Sequence, residues 1–510
     1  MLLDFPLLTI SLIVPLLGGV VTYLIPNDKL ARWVAVGFSL VPLALSILLV
    51  LAFLPDQWVS LAEHGEYRGW EEHAWVYQVG IDYRVGVDGL SVLLVFLTAL
   101  LTPLAMAVSW DEHHRPREFF ALFLFMETTL LGVFVSLDFF LFFLFWEASL
   151  IPMYFLIAVW GGPRKRYAAI KFFLYTQAAS LLVLLGIFGL YFYGGTFDMT
   201  KLIENADTAV PAGAIQAGLF LAFLVGFGAK LPTFPLHTWL PDAHVEAPTG
   251  GSVMLAGVLL KLGGYGLFRV NVQMLPDAAV DLAWLVALLG IVSIVYGAIV
   301  CIAQEDLKRL VAFSSVSHMG FVTLGLAAGV HGSAGAATAG DVPVGVLTGY
   351  AGAVFQLFAH GLISAALFML AGSLGHRLGT RNISELGGIA AKTPVTTTFL
   401  MIAFLASLGL PGLVGFVAEI SIFIGVFAAF GWIVLIPILS VVLTAAYYLW
   451  AAQRAVFGPL NPRWSDAKDL HRFETIPLAV LSVLFVVFGI FAFTFLEIVM
   501  RYTEHSLGVG

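Results

Sequence analysis

Apolar runs of membrane-spanning length recur along the whole chain, separated by short polar connections. A bilayer-spanning helix needs ~20 predominantly apolar residues. The pattern predicts about fourteen spans, near residues 5–25, 33–54, 88–108, 118–136, 139–160, 168–193, 212–248, 249–273, 279–301, 309–329, 346–375, 395–430, 432–452 and 475–499. The seventh and twelfth read as broken helices. Pro232, two residues after Lys230, cannot donate a backbone hydrogen bond, and the Gly409-Leu410-Pro411-Gly412 run interrupts the later one. The longest polar connection, 55–87, alternates in WVYQVGIDYRV and predicts a short hairpin over the membrane surface. The first apolar run lacks a basic leader and a small-residue cleavage site, so it reads as a retained helix.

The expected fold is thus an all-α polytopic membrane protein of about fourteen transmembrane helices. Interrupted helices at matching places in two halves point to inverted repeats with an ion path at the breaks. Spans 4–8 and 9–13 are the expected repeats. The chain then divides into 1–117 (three helices and the outer loop 55–87), a first repeat at 118–275, a second at 276–458, and a closing loop and helix at 459–510.

Composition agrees with that pattern. The 510 residues are 60% hydrophobic and 11% charged, against ~25% charged in soluble domains, and mean hydropathy is +0.98. Net charge of −8 says little about partners, because the distribution of Lys and Arg among loops carries the topological information. With the N-terminus outside, Arg115, Arg117, Arg164, Lys165, Arg166, Lys308, Arg309, Arg377 and Arg381 fall on inner connections, and Arg68, Arg84, Lys201, Arg269 and Arg501 on outer ones. Both termini are then expected outside. The single cysteine, Cys301, excludes internal disulfides and a cluster held by several thiolates. No nucleotide-binding glycine motif and no HExxH occurs, so no cofactor, metal or nucleic acid is expected on this chain.

What remains is a set of ionisable residues inside apolar sequence. A charged side chain at bilayer depth costs ~2.5–3.5 kcal/mol on insertion scales, so each one asks for a use. Lys261 lies about 12 residues from either end of its span, ~18 Å at 1.5 Å per residue, too deep for its stem to reach the interface. Lys230 stands beside the first break. Glu147, in FFLFFLFWEASLIPMYF, is its expected partner; a glutamate–lysine pair is worth ~4 kcal/mol at 4 Å and ~2 at 8 Å with a dielectric near 20. Moving one proton against 100 mV needs ~2.3 kcal/mol, so the opening of such a pair is comparable to the work. Glu419 follows the second break. His318 and His360 suit proton relay, since imidazole titrates near neutrality; core packing and bis-histidine haem ligation are the alternatives. Glu127 either supplements the path or pairs with a neighbour. His237, Asp242, His244 and Glu246 form either a proton inlet or a solvated turn, and Lys171 reads as a structural lysine. Ion pairs that merely hold helices together are the bland alternative throughout.

The segments LFFLFWEASLIPMYFLIAVWGG, KLPTFPLHTWLPDAHVEAPT, SVMLAGVLLKLGGYG, SSVSHMGF and GLPGLVGFVAE resemble the antiporter-like subunits of respiratory complex I, a family related to Mrp cation/proton antiporters. The likeness runs over nearly the whole chain. Within the family it is most similar to the M type (mitochondrial subunit 4 type), since Glu419 stands where L and N types usually carry lysine and the chain stops after its fourteenth span. The resemblance implies a proton-translocating subunit of an NADH:quinone oxidoreductase in a bacterial inner membrane, flanked by L-type and N-type neighbours. NADH, FMN, iron–sulfur clusters and quinone would be held by other subunits. By motif match Glu147 and Lys230 would be the family's glutamate–lysine switch, Lys261 its central lysine, His318 and His360 the linking histidines, and Glu419 the outlet residue; Glu127 and His237 stay candidates from their own sequence positions alone. An Mrp-type antiporter without redox coupling is the alternative.

Overall fold

A computed structural model of the chain describes residues 5–54, 60–337 and 342–507. Among these, eleven helices are long and apolar enough to cross a membrane, and Val92–Val108, Ala214–Lys230 and Pro394–Ser407 are shorter apolar helices. Residues 55–59 of the outer loop, and the extreme termini, lie outside the described residues.

Helix starts follow local chemistry. Asn27 and Asp138 accept hydrogen bonds from the first free backbone N–H groups of their helices, and Pro116 and Pro394 occupy first helical positions where no N–H is needed. The two expected breaks are present. The first half-helix ends at Lys230, and Leu240–Glu246 resumes after a turn. The second ends at Ser407, and Val414–Phe430 resumes after Gly409 and Gly412, both with positive φ. A third interruption was not foreseen: Phe139–Ala148 and Leu150–Trp160 are separate helices meeting at Ser149.

The polar connection forms more than a hairpin. Three antiparallel strands, β1 (Glu63–His64), β2 (Tyr67–Val76) and β3 (Ile81–Val87), make one sheet in that order. Glu71 of β2 accepts from the backbone N–H of Leu8 at 2.8 Å, fastening the sheet to the start of the first helix. Arg84 of β3 reaches Asp198 at 2.8 Å, fastening it to the start of the short helix Met199–Glu204.

The last span ends earlier than expected, at Ile490. Ala492–Ser506 is a further amphipathic helix, so the chain does not stop at its final apolar span. This helix packs against Val344–Leu378 and returns to the sheet face, where His505 lies 3.5 Å from Glu66.

The core of the molecule is a triad of helices, Thr249–Val272, Leu307–Gly335 and Val344–Leu378, each enclosed over its membrane-spanning stretch. Peripheral helices turn Leu174, Leu181, Leu185, Phe188 and Phe192 outward, as lipid-facing helices do. Gly263 shows why the central helix lies so close to the first break. A Cβ there would stand 2.4 Å from the Phe227 carbonyl oxygen and 2.5 Å from the Leu231 nitrogen.

Candidate functional site

Thr249–Val272 is not a uniform α-helix. Leu255–Leu259 and Leu267–Val272 are π-helical, with one extra residue accommodated per turn. The first π-segment sets the carbonyl of Ala256 against the Lys261 ammonium, which donates to it at 2.5 Å and meets His360 Nδ1 at 2.8 Å. Lys261 is fully buried, so these two contacts do what water would otherwise do for the charge.

From His360 the series continues through neighbouring rings. The His360 and His318 rings are 5.6 Å apart between centroids. His318 Nδ1 lies 3.5 Å from Glu419 Oε1, and its Nε2 lies 3.2 Å from the Ser407 hydroxyl, the residue that ends the half-helix. Ser407 donates in turn to Tyr448 at 2.8 Å, and Tyr448 to Ser314 at 3.1 Å. The order along the path is therefore Lys261, His360, His318, Glu419, with the two histidines exchanged relative to the sequence reading.

The Glu419 carboxylate occupies the second break because Gly409 leaves room for it. A Cβ on Gly409 would stand 2.7 Å from Glu419 Oε2. The helix interruption and the acid are thus one structural unit.

The first break is built differently. Lys230 lies over the Trp146 ring, its nitrogen 3.6 Å from the centroid, and donates to the Trp146 carbonyl at 3.3 Å and to the Ser149 hydroxyl at 3.4 Å. The interruption at Ser149 is what turns that carbonyl and hydroxyl toward the lysine. A desolvated cation over an indole is worth about 2 kcal/mol or more. Glu147, next in the chain to Trp146, does not touch Lys230. It is half-buried, its Oε1 has no hydrogen-bond partner, and its field reaches the lysine only from beyond ion-pair distance. The expected contact pair is thus not formed in this structure.

The polar group after the first break separates into distinct parts. Asp242 pairs with Lys171 at 2.7 Å. The Glu246 carboxylate accepts from the Arg164 N–H at 2.8 Å and pairs with its guanidinium at 3.4 Å. His237 is buried in an aromatic box of Phe234, Tyr296 and Phe313. His244 is fully buried against Phe368, with neither ring nitrogen hydrogen-bonded, within the fields of Lys261, His360 and Lys308. Glu127 is fully buried, and among the described residues neither carboxylate oxygen has a hydrogen-bond partner.

Two residues that the sequence reading placed in connections or at helix ends are buried instead. Lys308 is 2% exposed and donates to the Ala247 carbonyl at 2.6 Å, beside a cavity of about 560 Å3 whose wall includes Glu246, Asp306 and Arg381. That cavity lies on the face opposite the sheet. Arg269 is enclosed on the sheet side, 2.6 Å from Asp88. The spacing Lys261, Tyr265, Arg269 was a usable sign of it, since residues four apart share a helix face. Lys308 gave none, because a lysine after a helix-capping Asp306 reads as interfacial.

Chemically, the assembly is a line of groups that each accept and donate one proton, closed to water at its centre. A cavity approaches it on one face, and an acid stands at the far break.

The family described as NADH:quinone oxidoreductase/Mrp antiporter, TM, matches residues 136–444. The chain is 41% identical to F(420)H(2) dehydrogenase subunit M of Methanosarcina mazei, over 99% of each chain. It is 39% identical to NADH-quinone oxidoreductase subunit M of Rhodobacter capsulatus, over 91% of this chain and 88% of that one. Among solved structures it is similar to a chain of respiratory complex I from Thermus thermophilus with bound NADH, at a TM-score of 0.85 and 30% identity, covering 99% of this chain and 100% of that one. Two regions that carry the geometry, the Lys230 break and the Lys261–Glu419 series, fall inside the matched segment, and the chain belongs to the NADH:quinone oxidoreductase/Mrp antiporter family of transmembrane subunits.

Proposed function

We propose that the chain is a proton-translocating membrane-arm subunit of an NADH:quinone oxidoreductase, moving protons laterally through its buried lysines, histidines and glutamates. The observation that carries this is the succession of buried groups Lys261, His360, His318 and Glu419, separated in turn by a 2.8 Å hydrogen bond, 5.6 Å between ring centroids and a 3.5 Å approach. In the resting arrangement Lys230 is the gated charge, with Glu147 as the movable counter-charge and Lys261 as the central carrier. His360 and His318 relay, and Glu419 delivers the proton. Glu127 and His237 hold supporting places. Redox groups (NADH, FMN, iron–sulfur clusters, quinone) belong to other subunits on this reading.

The finer architecture follows the same logic. Grouping the short and broken helices with their continuations gives fourteen spans, and the two breaks mark two inverted repeats, 118–275 and 276–458. The segment 1–117 then adds the first three helices and the outer loop, and 459–510 the closing loop and helix. The sheet face is outside and carries both termini, and the face bearing Lys308 and Arg381 is inside, in keeping with the positive-inside rule. L-type and N-type subunits flank the chain in a bacterial inner membrane.

Lys230→Ala in the assembled complex, reconstituted in vesicles, should abolish most proton uptake while NADH still drives quinone reduction. Normal pumping by that variant would remove the role assigned to Lys230. The joint family description also supports an Mrp-type cation/proton antiporter; sodium-dependent proton movement in vesicles without NADH and quinone would favour it.

A further inference from the structure

Behind His318 runs a chain of hydroxyl groups that the lateral path does not use. His318 Nε2 lies 3.2 Å from the Ser407 hydroxyl. Ser407 donates to Tyr448 at 2.8 Å, Tyr448 to Ser314 at 3.1 Å, and Ser314 to the Val311 carbonyl at 2.8 Å. Ser314 and His318 stand one turn apart on Leu307–Gly335, while Ser407 ends Pro394–Ser407 and Tyr448 belongs to Leu435–Ala455. The chain therefore leaves and rejoins one helix turn by way of two other elements. Ser314, His318, Ser407 and Tyr448 are all buried, so each hydroxyl has to place its one proton within the protein.

That requirement gives the chain a direction. The Val311 carbonyl has no proton to give, and it also accepts from the Ser315 hydroxyl at 3.2 Å. The Ser314 proton is committed to that carbonyl, so Ser314 can only accept from Tyr448. Tyr448 then accepts from Ser407, whose proton points away from His318. Ser407 is left with a lone pair to offer the ring, and the nitrogen that bonds a lone pair has to carry a hydrogen. Running the chain the other way makes one hydrogen bond fewer, because the Val311 carbonyl then receives nothing from Ser314.

We propose that Tyr448 and Ser407 are positioning residues that fix His318 as the tautomer protonated at Nε2, leaving Nδ1 as the nitrogen that exchanges protons with Glu419. The inference rests on the reading of His318 and Glu419 as proton carriers. Nδ1 is the nitrogen that faces Glu419 Oε1, at 3.5 Å. A proton arriving from the His360 side forms a bond at Nδ1 and makes His318 an imidazolium. Breaking that N–H bond passes the proton to the Glu419 carboxylate, which becomes a carboxylic acid, and His318 returns to its neutral Nε2–H form. The Nε2 proton stays in place, since the hydroxyl chain behind it ends on a carbonyl. In the other tautomer Nδ1 already holds a hydrogen, and an added proton loads at Nε2, on the nitrogen turned to Ser407. The hydroxyl chain thus decides which edge of the ring is basic.

The test compares protons moved per electron pair by the whole complex in vesicles for Tyr448→Phe, Ser407→Ala and the double variant, with assembly checked for each. Tyr448→Phe keeps the ring that packs on Phe404 and Tyr447. It also releases the Ser407 proton to turn onto His318 Nε2, which imposes the opposite tautomer. Ser407→Ala leaves that nitrogen without a partner and both tautomers available. The expected result is a larger loss in Tyr448→Phe, the more distant substitution, than in Ser407→Ala. The double variant should recover to the Ser407→Ala level. Nitrogen NMR spectra of His318, assigned by their loss in His318→Gln, should show Nε2 protonated in the unaltered chain and Nδ1 protonated in Tyr448→Phe. Tyr448→Phe at the unaltered ratio, a double variant that pumps no better than it, or an unaltered chain protonated at Nδ1 each overturns the proposal while the lateral path stands. If His318→Gln and Glu419→Gln both leave the ratio unchanged, the lateral path itself fails and the proposal falls with it.

Discussion

The two helix breaks handle charge in opposite ways. At the second, Glu419 sits against Gly409 and in line with His318, His360 and Lys261, so acid and base are joined through a relay. At the first, Lys230 rests on the Trp146 ring and a carbonyl, while Glu147 stands apart. A contact ion pair near 4 Å is worth ~4 kcal/mol at a dielectric near 20, and most of that must be returned before either partner can be neutralised. Lys230 has no such contact to break. The lesson is that one break holds its charged group in a chain of buried polar contacts and the other holds it on an aromatic face; on the proposed reading the first would conduct, and a small approach or retreat of Glu147 would switch the second.

Three substitutions press on this contrast. The largest effect belongs to Trp146→Ala, which removes the surface that holds Lys230 and leaves a void. Large aromatic truncations in a packed interior cost about 3–5 kcal/mol, and the cation–π contribution of about 2 kcal/mol is lost within that. The thermal midpoint of the assembled complex should fall markedly and pumping should fail. Retained pumping would mean that Lys230 is held by its carbonyl contacts alone and the two breaks are more alike than drawn.

Gly409→Ala comes next and acts on the other break. Its φ of +79° is unfavourable for a residue with a Cβ by about 1–2 kcal/mol, and the added carbon would push Glu419 Oε2, 2.7 Å away, toward or off His318. Slower proton release with electron transfer intact is the expected result, read as protons per electron pair. An unaltered ratio would show that the Glu419–His318 contact is not the conducting step.

The smallest effect separates both breaks from the sheet face. Burial, with Asp88 adding and Arg269 opposing, pushes the Glu66 carboxyl up to about 8 from an ordinary 4.5. The folded chain keeps a proton there that the unfolded chain has released. Its contribution is therefore complete below about pH 4.5 and lost as pH rises through about 8. Glu66→Gln, which mimics the protonated acid, should flatten that part of the stability–pH curve. If the slope persists, the titrating group lies at a break and not at the sheet.

Much of this was legible in the sequence, for physical reasons that differ by residue. Lys230, Lys261 and Glu419 announced themselves because charge inside a long apolar run has few bland explanations. Both breaks were legible because Pro232 and the Gly409–Gly412 run remove hydrogen bonds that a helix needs. Ser149 was not: Leu150–Trp160 reads as a continuation of Phe139–Ala148, and only packing against Lys230 gives the interruption a use. Arg269 and Lys308 were misplaced because a basic residue near the end of an apolar run is equally consistent with an interfacial anchor and an enclosed one. Burial there depends on Asp88, Tyr67 and Tyr502 in the one case and on the Ala247 carbonyl in the other, all of them distant in sequence. The order of the two histidines likewise depends on how separate helices face one another. The closing amphipathic helix was hidden because its apolar stripe merges with the span before it.

The two π-turns of Thr249–Val272 constrain how such a chain can change over generations. Each holds a residue that an α-turn would expel, and the polar side chains downstream are aimed by that surplus. Loss of one residue between Leu255 and Leu259 would let the helix close as ordinary α and would remove the wide turn that sets the Ala256 carbonyl against Lys261. With Gly257, Gly263 and Gly264 each lacking room for one added carbon, the stretch is constrained in its count of residues and in its smallest side chains alike.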